Sequence, residues 1–466
     1  MIENSRIIPI PTEKSLQNLK GETEEQVISA LAINDETAVW ALISEMHHAD
    51  IADLLERLND EDRGRLLAIM GPEFDGDVLI ELDETVRDQV ISKVGLDTVA
   101  QAISELESDD ALEIIEELEK HDQEKVLKAI PDEDRVLIEE SLNFPKDSAG
   151  RLMQREFVTV PTFWSVGDTI DFIRESADSR DNRLPSQFYV VYVVDPAYRP
   201  VGMVWLDKLL RTQRLVKLTD VMEPDIKVIP VETDQEDVTF LFRQRDWLSA
   251  PVVDEGGRLI GAITIDDIVD VIDEEHEEDI MLMGGIREDD FYRAVFYTTR
   301  ARFSWLFVNL LTAIVASVVI GFFDATIDQI VALAVLMPIV ASMGGNAGTQ
   351  TLTVAVRALA MKELTATNAS RLIGKEILVG ISNGLVFAMF AGVVVALWFD
   401  SLLLGGVIAI AMIVNLIVAS LAGTLIPLVL ERQGIDPAIA SSVLLTTVTD
   451  VVGFFVFLGL AAIILI

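Results

Sequence analysis

Two hydrophobic rhythms divide the chain. From about residue 20 to 145, apolar residues return every three or four positions between acidic ones. In Asp50-Ile-Ala-Asp-Leu-Leu-Glu-Arg-Leu58 this puts Ile51, Leu54, Leu55 and Leu58 on one helical face. Sixty positions on, Leu54, Leu55, Leu58, Leu66 and Leu67 return as Ile114, Ile115, Leu118, Val126 and Leu127, with a looser copy over 78–94. Helical units that repeat in this way bury their faces against one another, which predicts an all-α superhelical domain over 1–145. After residue 303 the rhythm gives way to five apolar runs, about 303–323, 330–357, 377–399, 402–430 and 439–463, each long enough to cross a bilayer.

Between these regions, residues 148–272 read as alternating strands and helices. Strand-like runs occur at Phe157–Val160, Tyr189–Val194 and Pro200–Val204. The order then repeats. Leu152-Met153 and Val160-Pro161 return as Val221-Met222 and Ile229-Pro230, sixty-nine positions on. Val194-Asp195 and Gly202 return as Val253-Asp254 and Gly261, fifty-nine on, so the first copy carries about ten extra residues, placed between Glu175 and Gln187. This tandem α/β repeat resembles a pair of CBS domains, modules that dimerise and often bind adenine nucleotides. Thr264 and Asp267 in the second copy are similar to that family's ribose-phosphate motif, whereas Trp205 and Lys208 stand there in the first. The resemblance implies at most one ATP site per chain, at Thr264 and Asp267.

Charge is distributed as unevenly as hydropathy. Residues 303–466 hold five basic and eight acidic residues, so residues 1–302 carry −37 of the net −40. So acidic a surface repels phosphate, which argues against nucleic acid as a partner, and attracts cations. Cysteine is absent, which excludes disulfides and thiolate sites. The start, Met-Ile-Glu-Asn-Ser-Arg, lacks the apolar run of a signal peptide, so the acidic part is expected in the cytoplasm. Its densest stretch, an acidic connecting helix over 273–300, follows directly on Asp267 and Asp270. Glu275, Glu278 and Asp279 share a helix face there, either as a solvated surface or as ligands of a divalent cation. Asp109 and Glu113, four apart near a helix start, either complement the helix dipole or ligate a cation.

Arg287, Arg293, Arg300 and Arg302 precede the first run, Arg357, Lys362, Arg371 and Lys375 separate the second from the third, and Arg432 separates the fourth from the fifth. The positive-inside tendency then puts the acidic domains in the cytoplasm and the C-terminus outside, in a multi-pass protein of the cell (inner) membrane. Pro338 and Met343-Gly-Gly-Asn-Ala-Gly-Thr-Gln350 interrupt the second run, which implies unwound or closely approached backbone. In the fourth run, Asn415, Ser420, Gly423, Thr424 and Pro427 suggest packing and a kink. Asp450, in Thr446-Thr-Val-Thr-Asp450-Val-Val-Gly453, is the one charge that cannot be placed at a run's end. A carboxylate at the bilayer centre costs at least about 2.5–3.5 kcal/mol. It therefore faces a pore or a partner, or stays protonated between helices.

An acidic helical repeat, tandem CBS domains, an acidic connecting helix, and five spans with Gly-Gly-Asn in the second and Thr-Asp-x-x-Gly in the fifth are together similar to the MgtE family of magnesium channels or transporters. The resemblance implies a homodimer whose pore lies on the two-fold axis between spans two and five. It implies Mg²⁺ as the ion, held largely hydrated by Asp450, with Thr446, Asn346, Gly344 and Gly345 nearby. Cytosolic Mg²⁺ would then bridge Asp267, Asp270, Glu275, Glu278, Asp279 and Asp436, together with Glu236, Asp246, Asp109 and Glu113, and close the pore. Alternatives are a proton-coupled or broader divalent-cation (Co²⁺, Mn²⁺) transporter regulated by nucleotide, and a membrane-anchored sensor without a conduit. The four histidines occupy no catalytic setting, so no enzyme is expected.

Overall fold

The computed structural model describes residues 13–177, 184–185, 187–286, 295–364 and 367–466. Arg287 and Arg293, and part of the extra segment expected between Glu175 and Gln187, lie outside them. The chain divides into two compact units, Met1–Ile272 and Asp273–Ile466.

The first unit opens with short helices whose apolar faces meet as the repeat predicts: Leu54, Leu55, Leu66, Ile114, Ile115 and Val126 are all buried. A second repeating device is polar. A helix end leaves carbonyls without intrahelical donors. In successive repeats a side chain about eight residues further on supplies them. Arg63, buried, donates to the carbonyls of Leu55 at 2.7 Å and Leu58 at 3.0 Å. Arg87 donates to Leu82 at 3.0 Å, and Gln123 to Ile115 at 3.2 Å.

Two three-stranded sheets follow. In the first, β1 (Thr159–Pro161) runs parallel to β2 (Val190–Val194), which pairs antiparallel with β3 (Pro200–Trp205). In the second, β4 (Ile229–Pro230), β5 (Ser249–Val253) and β6 (Leu259–Thr264) repeat the topology. Even the register shift recurs, at Val193/Val194 and at Val252/Val253. The copies exchange contacts. Gln154 and Ala262 trade backbone hydrogen bonds of 2.9 and 3.0 Å, as do Met203 and Glu223 at 3.1 and 2.8 Å. A Cβ on Gly202 would lie 2.7 Å from Met222 Sδ, and one on Gly261 would overlap Met153, which explains why these glycines and methionines recur together.

The connecting helix spans Ile265–Gly284, so it begins at the end of β6 rather than at Asp273. The membrane helices are Val295–Gly321, Ala332–Ala360, Ala369–Trp398, Leu402–Arg432 and Pro437–Ile464, here spans 1 to 5. All five contain apolar stretches long enough to cross a membrane. Spans 1 and 3 begin about eight residues earlier than expected, because the helix continues through charged turns that hydropathy alone discards. Arg300 and Arg302 fall inside span 1, and Arg371, Lys375 and Glu376 inside span 3. Asp450 is therefore not the one charge held within a span. Glu376 is buried at 7 % exposure and accepts a hydrogen bond from Thr351 of span 2 at 3.2 Å. Span 2 is an unbroken helix through its glycines, so of the two expectations for that run, close approach is the one observed. The core of this unit joins Leu336 and Val340 of span 2, Val407 and Ile408 of span 4, and Phe457 and Leu458 of span 5.

Candidate cation sites

Asp450 lies midway along span 5 and is half-buried. Its carboxylate meets no hydrogen-bond or ion-pair partner among the described residues. The threonines before it return their protons to their own helix: Thr446 Oγ1 to the Ser442 carbonyl at 3.0 Å, and Thr447 Oγ1 to Val443 at 2.7 Å. Their oxygens then offer lone pairs outward, the polarity a cation or its water shell requires. Thr449 is fully buried, and its hydroxyl donates to the Thr446 carbonyl at 3.1 Å.

Span 2 has two unlike faces. Ser342, Asn346, Thr349, Gln350 and Thr353 recur at helical spacing and are all exposed. Asn346 Nδ2 donates to Ser342 Oγ at 3.3 Å, and the Thr349 and Thr353 hydroxyls donate to carbonyls one turn back at 3.0 and 2.9 Å. A polar stripe of this length in a membrane helix belongs against water or protein rather than lipid. Gly345 sits half-buried with open space around it. Gly344 departs from its expected place beside the ion. It is buried on the opposite face, where the missing side chain admits Asn415 of span 4.

The acidic residues gather in two separate groups. In the first unit, Asp109 and Asp110 open the Ser108–Glu117 helix close to Asp267. Burial, and then the neighbouring carboxylates, push Asp110 and Asp267 up to about 7 and raise Asp109 strongly. Asp267 also accepts from Thr264, from the hydroxyl at 2.9 Å and the backbone N–H at 3.2 Å. Asp270 adds to the negative field on Asp267. Glu113 is turned to Arg87 at 3.1 Å. Glu236 and Asp246 stand at opposite ends of the Gln235–Arg245 helix and are not brought together.

In the second unit, Asp279 is raised by burial, then by Asp436 and Glu278, with His276 opposing. Asp436 caps span 5 by accepting from Ala438 N at 2.7 Å. Glu275, half-buried, lies one turn before Asp279. Close by, Leu282 of the connecting helix is buried against Leu352 and Val356 of span 2 and Leu445 of span 5. A third group escaped the sequence reading. His48, Asp75 and Asp77 bring potential ligand atoms within 4.8 Å of one another. Residues twenty-nine apart on different helices carry no local spacing signal that would have found it.

Comparison with known proteins gives a consistent pattern. The family model for MgtE, described as a divalent cation transporter, matches residues 337–460. That for the MgtE intracellular N domain matches 46–147, and that for the CBS domain 218–274. The magnesium transporter MgtE of Bacillus subtilis is 30 % identical over 422 residues, 90 % of this chain and 92 % of that protein. The same-named protein of Enterococcus faecalis is 33 % identical, covering 70 % of this chain and 71 % of that one. That of Thermus thermophilus is 32 % identical, covering 71 % and 73 %.

Proposed function

The chain belongs to the MgtE family, and from that premise we propose how it moves Mg²⁺ and how Mg²⁺ shuts it off. It is a magnesium transporter of the membrane and not an enzyme. Two copies bring the polar stripe of span 2 and Asp450 of span 5 to a shared axis. The paired Asp450 carboxylates hold Mg²⁺ through its water shell, since Mg²⁺ dehydrates reluctantly and rarely takes an all-protein cage. The observation that carries this reading is a half-buried, partnerless carboxylate beside an exposed polar stripe, in helices otherwise built for lipid.

Regulation follows from the two acidic groups. Buried carboxylates that face one another repel unless a proton or a cation sits between them. Mg²⁺ at Asp109, Asp110 and Asp267 ties the helical domain to the second CBS copy. At Glu275, Glu278, Asp279 and Asp436 it ties the connecting helix to the start of span 5. Leu282 transmits that second contact to spans 2 and 5. Mg²⁺ closes the pore because it binds this compact arrangement more tightly than the open one. His48, Asp75 and Asp77 offer a further cation position. The basic residues at the span ends favour acidic domains in the cytoplasm. ATP at the second CBS copy would take its ribose at Asp267 and a phosphate at Thr264. Those groups are bonded to each other at 2.9 Å, so nucleotide and Mg²⁺ compete for one carboxylate.

Mg²⁺ flux into proteoliposomes tests the conduit. Asp450→Asn is expected to abolish flux while leaving the melting temperature unchanged or raised, because a charge is removed from the membrane interior. Undiminished flux would refute the assignment.

A further inference from the structure

Asn415 has no part in the scheme above, yet it is among the least exposed polar side chains of the membrane unit. It lies in the middle of span 4, at 0 % exposure. Its Nδ2 donates to the Val340 carbonyl of span 2 at 2.9 Å, while its Oδ1 is buried with no donor among the described residues. The amide is clamped by two glycines on two other helices. A Cβ on Gly344 of span 2 would overlap its nitrogen. A Cβ on Gly453 of span 5 would come within 2.8 Å of that nitrogen and 3.2 Å of Oδ1. Three helices thus meet on one amide. Gly453 follows Asp450 by three residues, one helical turn away.

Apolar contacts between membrane helices have little direction and tolerate sliding and rotation. A single buried amide does not, which is how one polar residue fixes register in a helical bundle. We propose that Asn415 is a positioning residue of the pore. By pinning span 2 at Val340 and seating in the glycine notches of spans 2 and 5, it sets the rotation that turns Asp450 toward the polar stripe. Asn415 therefore tunes the affinity and selectivity of the ion site without touching the ion. The two glycines follow from the same geometry, since each makes room for the amide. This inference rests on the reading that spans 2 and 5 line the conduit.

The test uses full-length protein in proteoliposomes, reading flux against Mg²⁺ concentration and in competition with Ca²⁺, beside thermal melting. Asn415→Leu keeps the volume and loses the bond. It is expected to raise the half-saturating Mg²⁺ concentration at least about fivefold and to weaken discrimination against Ca²⁺, with melting little changed. Gly453→Ala is expected to impair flux, and adding Asn415→Ala to restore it several-fold, because the new methyl then occupies the vacated space. A variant that only lowers the amplitude of flux, with half-saturation and selectivity intact, would mark a merely structural residue and overturn the proposal. So would a double variant no better than Gly453→Ala, an outcome that decides the matter even where Asn415→Leu does not fold. Flux that survives Asp450→Asn would instead sink the conduit reading itself. Flux that needs Asp450 yet ignores Asn415 sinks this inference alone.

Discussion

Acidifying the medium from pH 8 to pH 6 should weaken Mg²⁺ binding at the Asp109–Asp110–Asp267 group about a hundredfold. The magnitude comes from two carboxyls, Asp110 and Asp267, each pushed up to about 7. Mg²⁺ needs both ionised, so it must displace their protons. Each group is about one-tenth protonated one pH unit above its pKa and about nine-tenths protonated one unit below. Each therefore lowers affinity roughly tenfold across the window, and two lower it about a hundredfold, near 2.7 kcal/mol. The folded arrangement without Mg²⁺ should respond in the opposite sense. A carboxyl whose pKa rises from 3.8 to about 7 on folding holds its proton more tightly when folded. Its contribution to stability is complete below pH 3.8 and is lost as pH climbs to about 7, beyond which nothing further changes. Titration calorimetry in two buffers of different ionisation enthalpy would count the released protons. Asp267→Asn removes one ligand and one titrating group, so the part of the pH dependence lost with it should be about tenfold. Mg²⁺ affinity independent of pH between 6 and 8, or a pH dependence unaltered in Asp267→Asn, would refute the reasoning.

Three other outcomes are expected. Asp279→Asn should raise the Mg²⁺ concentration that half-inhibits flux about three- to tenfold; Asp436→Asn, whose amide oxygen still caps span 5, should do the same, and the pair should be less than additive because they face each other. Glu376→Ala should destabilise the membrane unit by about 1–3 kcal/mol by removing the acceptor of the Thr351 hydroxyl, and leave the Mg²⁺ dependence of flux unchanged. ATP titrated into the full chain should bind more weakly as Mg²⁺ rises, and Thr264→Val should weaken ATP without altering Mg²⁺ inhibition at Asp279.

How much of this was legible in the sequence depended on whether the signal was local. Helical stripes are local, so Leu54, Leu55, Ile114 and Ile115 were recognisable as buried faces before any fold was known. The offset of fifty-nine between Val194 and Val253 reappears as a shared register shift in β2 and β5, because a repeat in sequence is a repeat in backbone. Asp450 stood out because a charge amid apolar residues is a one-dimensional contrast. Hydropathy erred where a helix outlasts its apolar core. Glu376 looked like a connection because Arg371 and Lys375 precede it, yet it is buried since Thr351, twenty-five residues earlier, meets it.

The interactions between distant segments were hidden for a further reason: like charges carry no mark of their partners. Asp109 was paired in sequence with Glu113, its neighbour one turn on. In the fold Glu113 turns to Arg87, while Asp109 finds Asp110 and Asp267. The choice is made by Arg87, buried to serve the Leu82 carbonyl and so placed where Glu113 and Glu117 can reach it, at 3.1 and 2.8 Å. A structural arginine that closes one helix end thereby draws off two acids of the Ser108–Glu117 helix and leaves the first-turn pair uncompensated. Of the carboxylates on that helix, those left facing Asp267 are the ones that only a proton or a cation can neutralise, which is what a sensor of cytosolic Mg²⁺ requires.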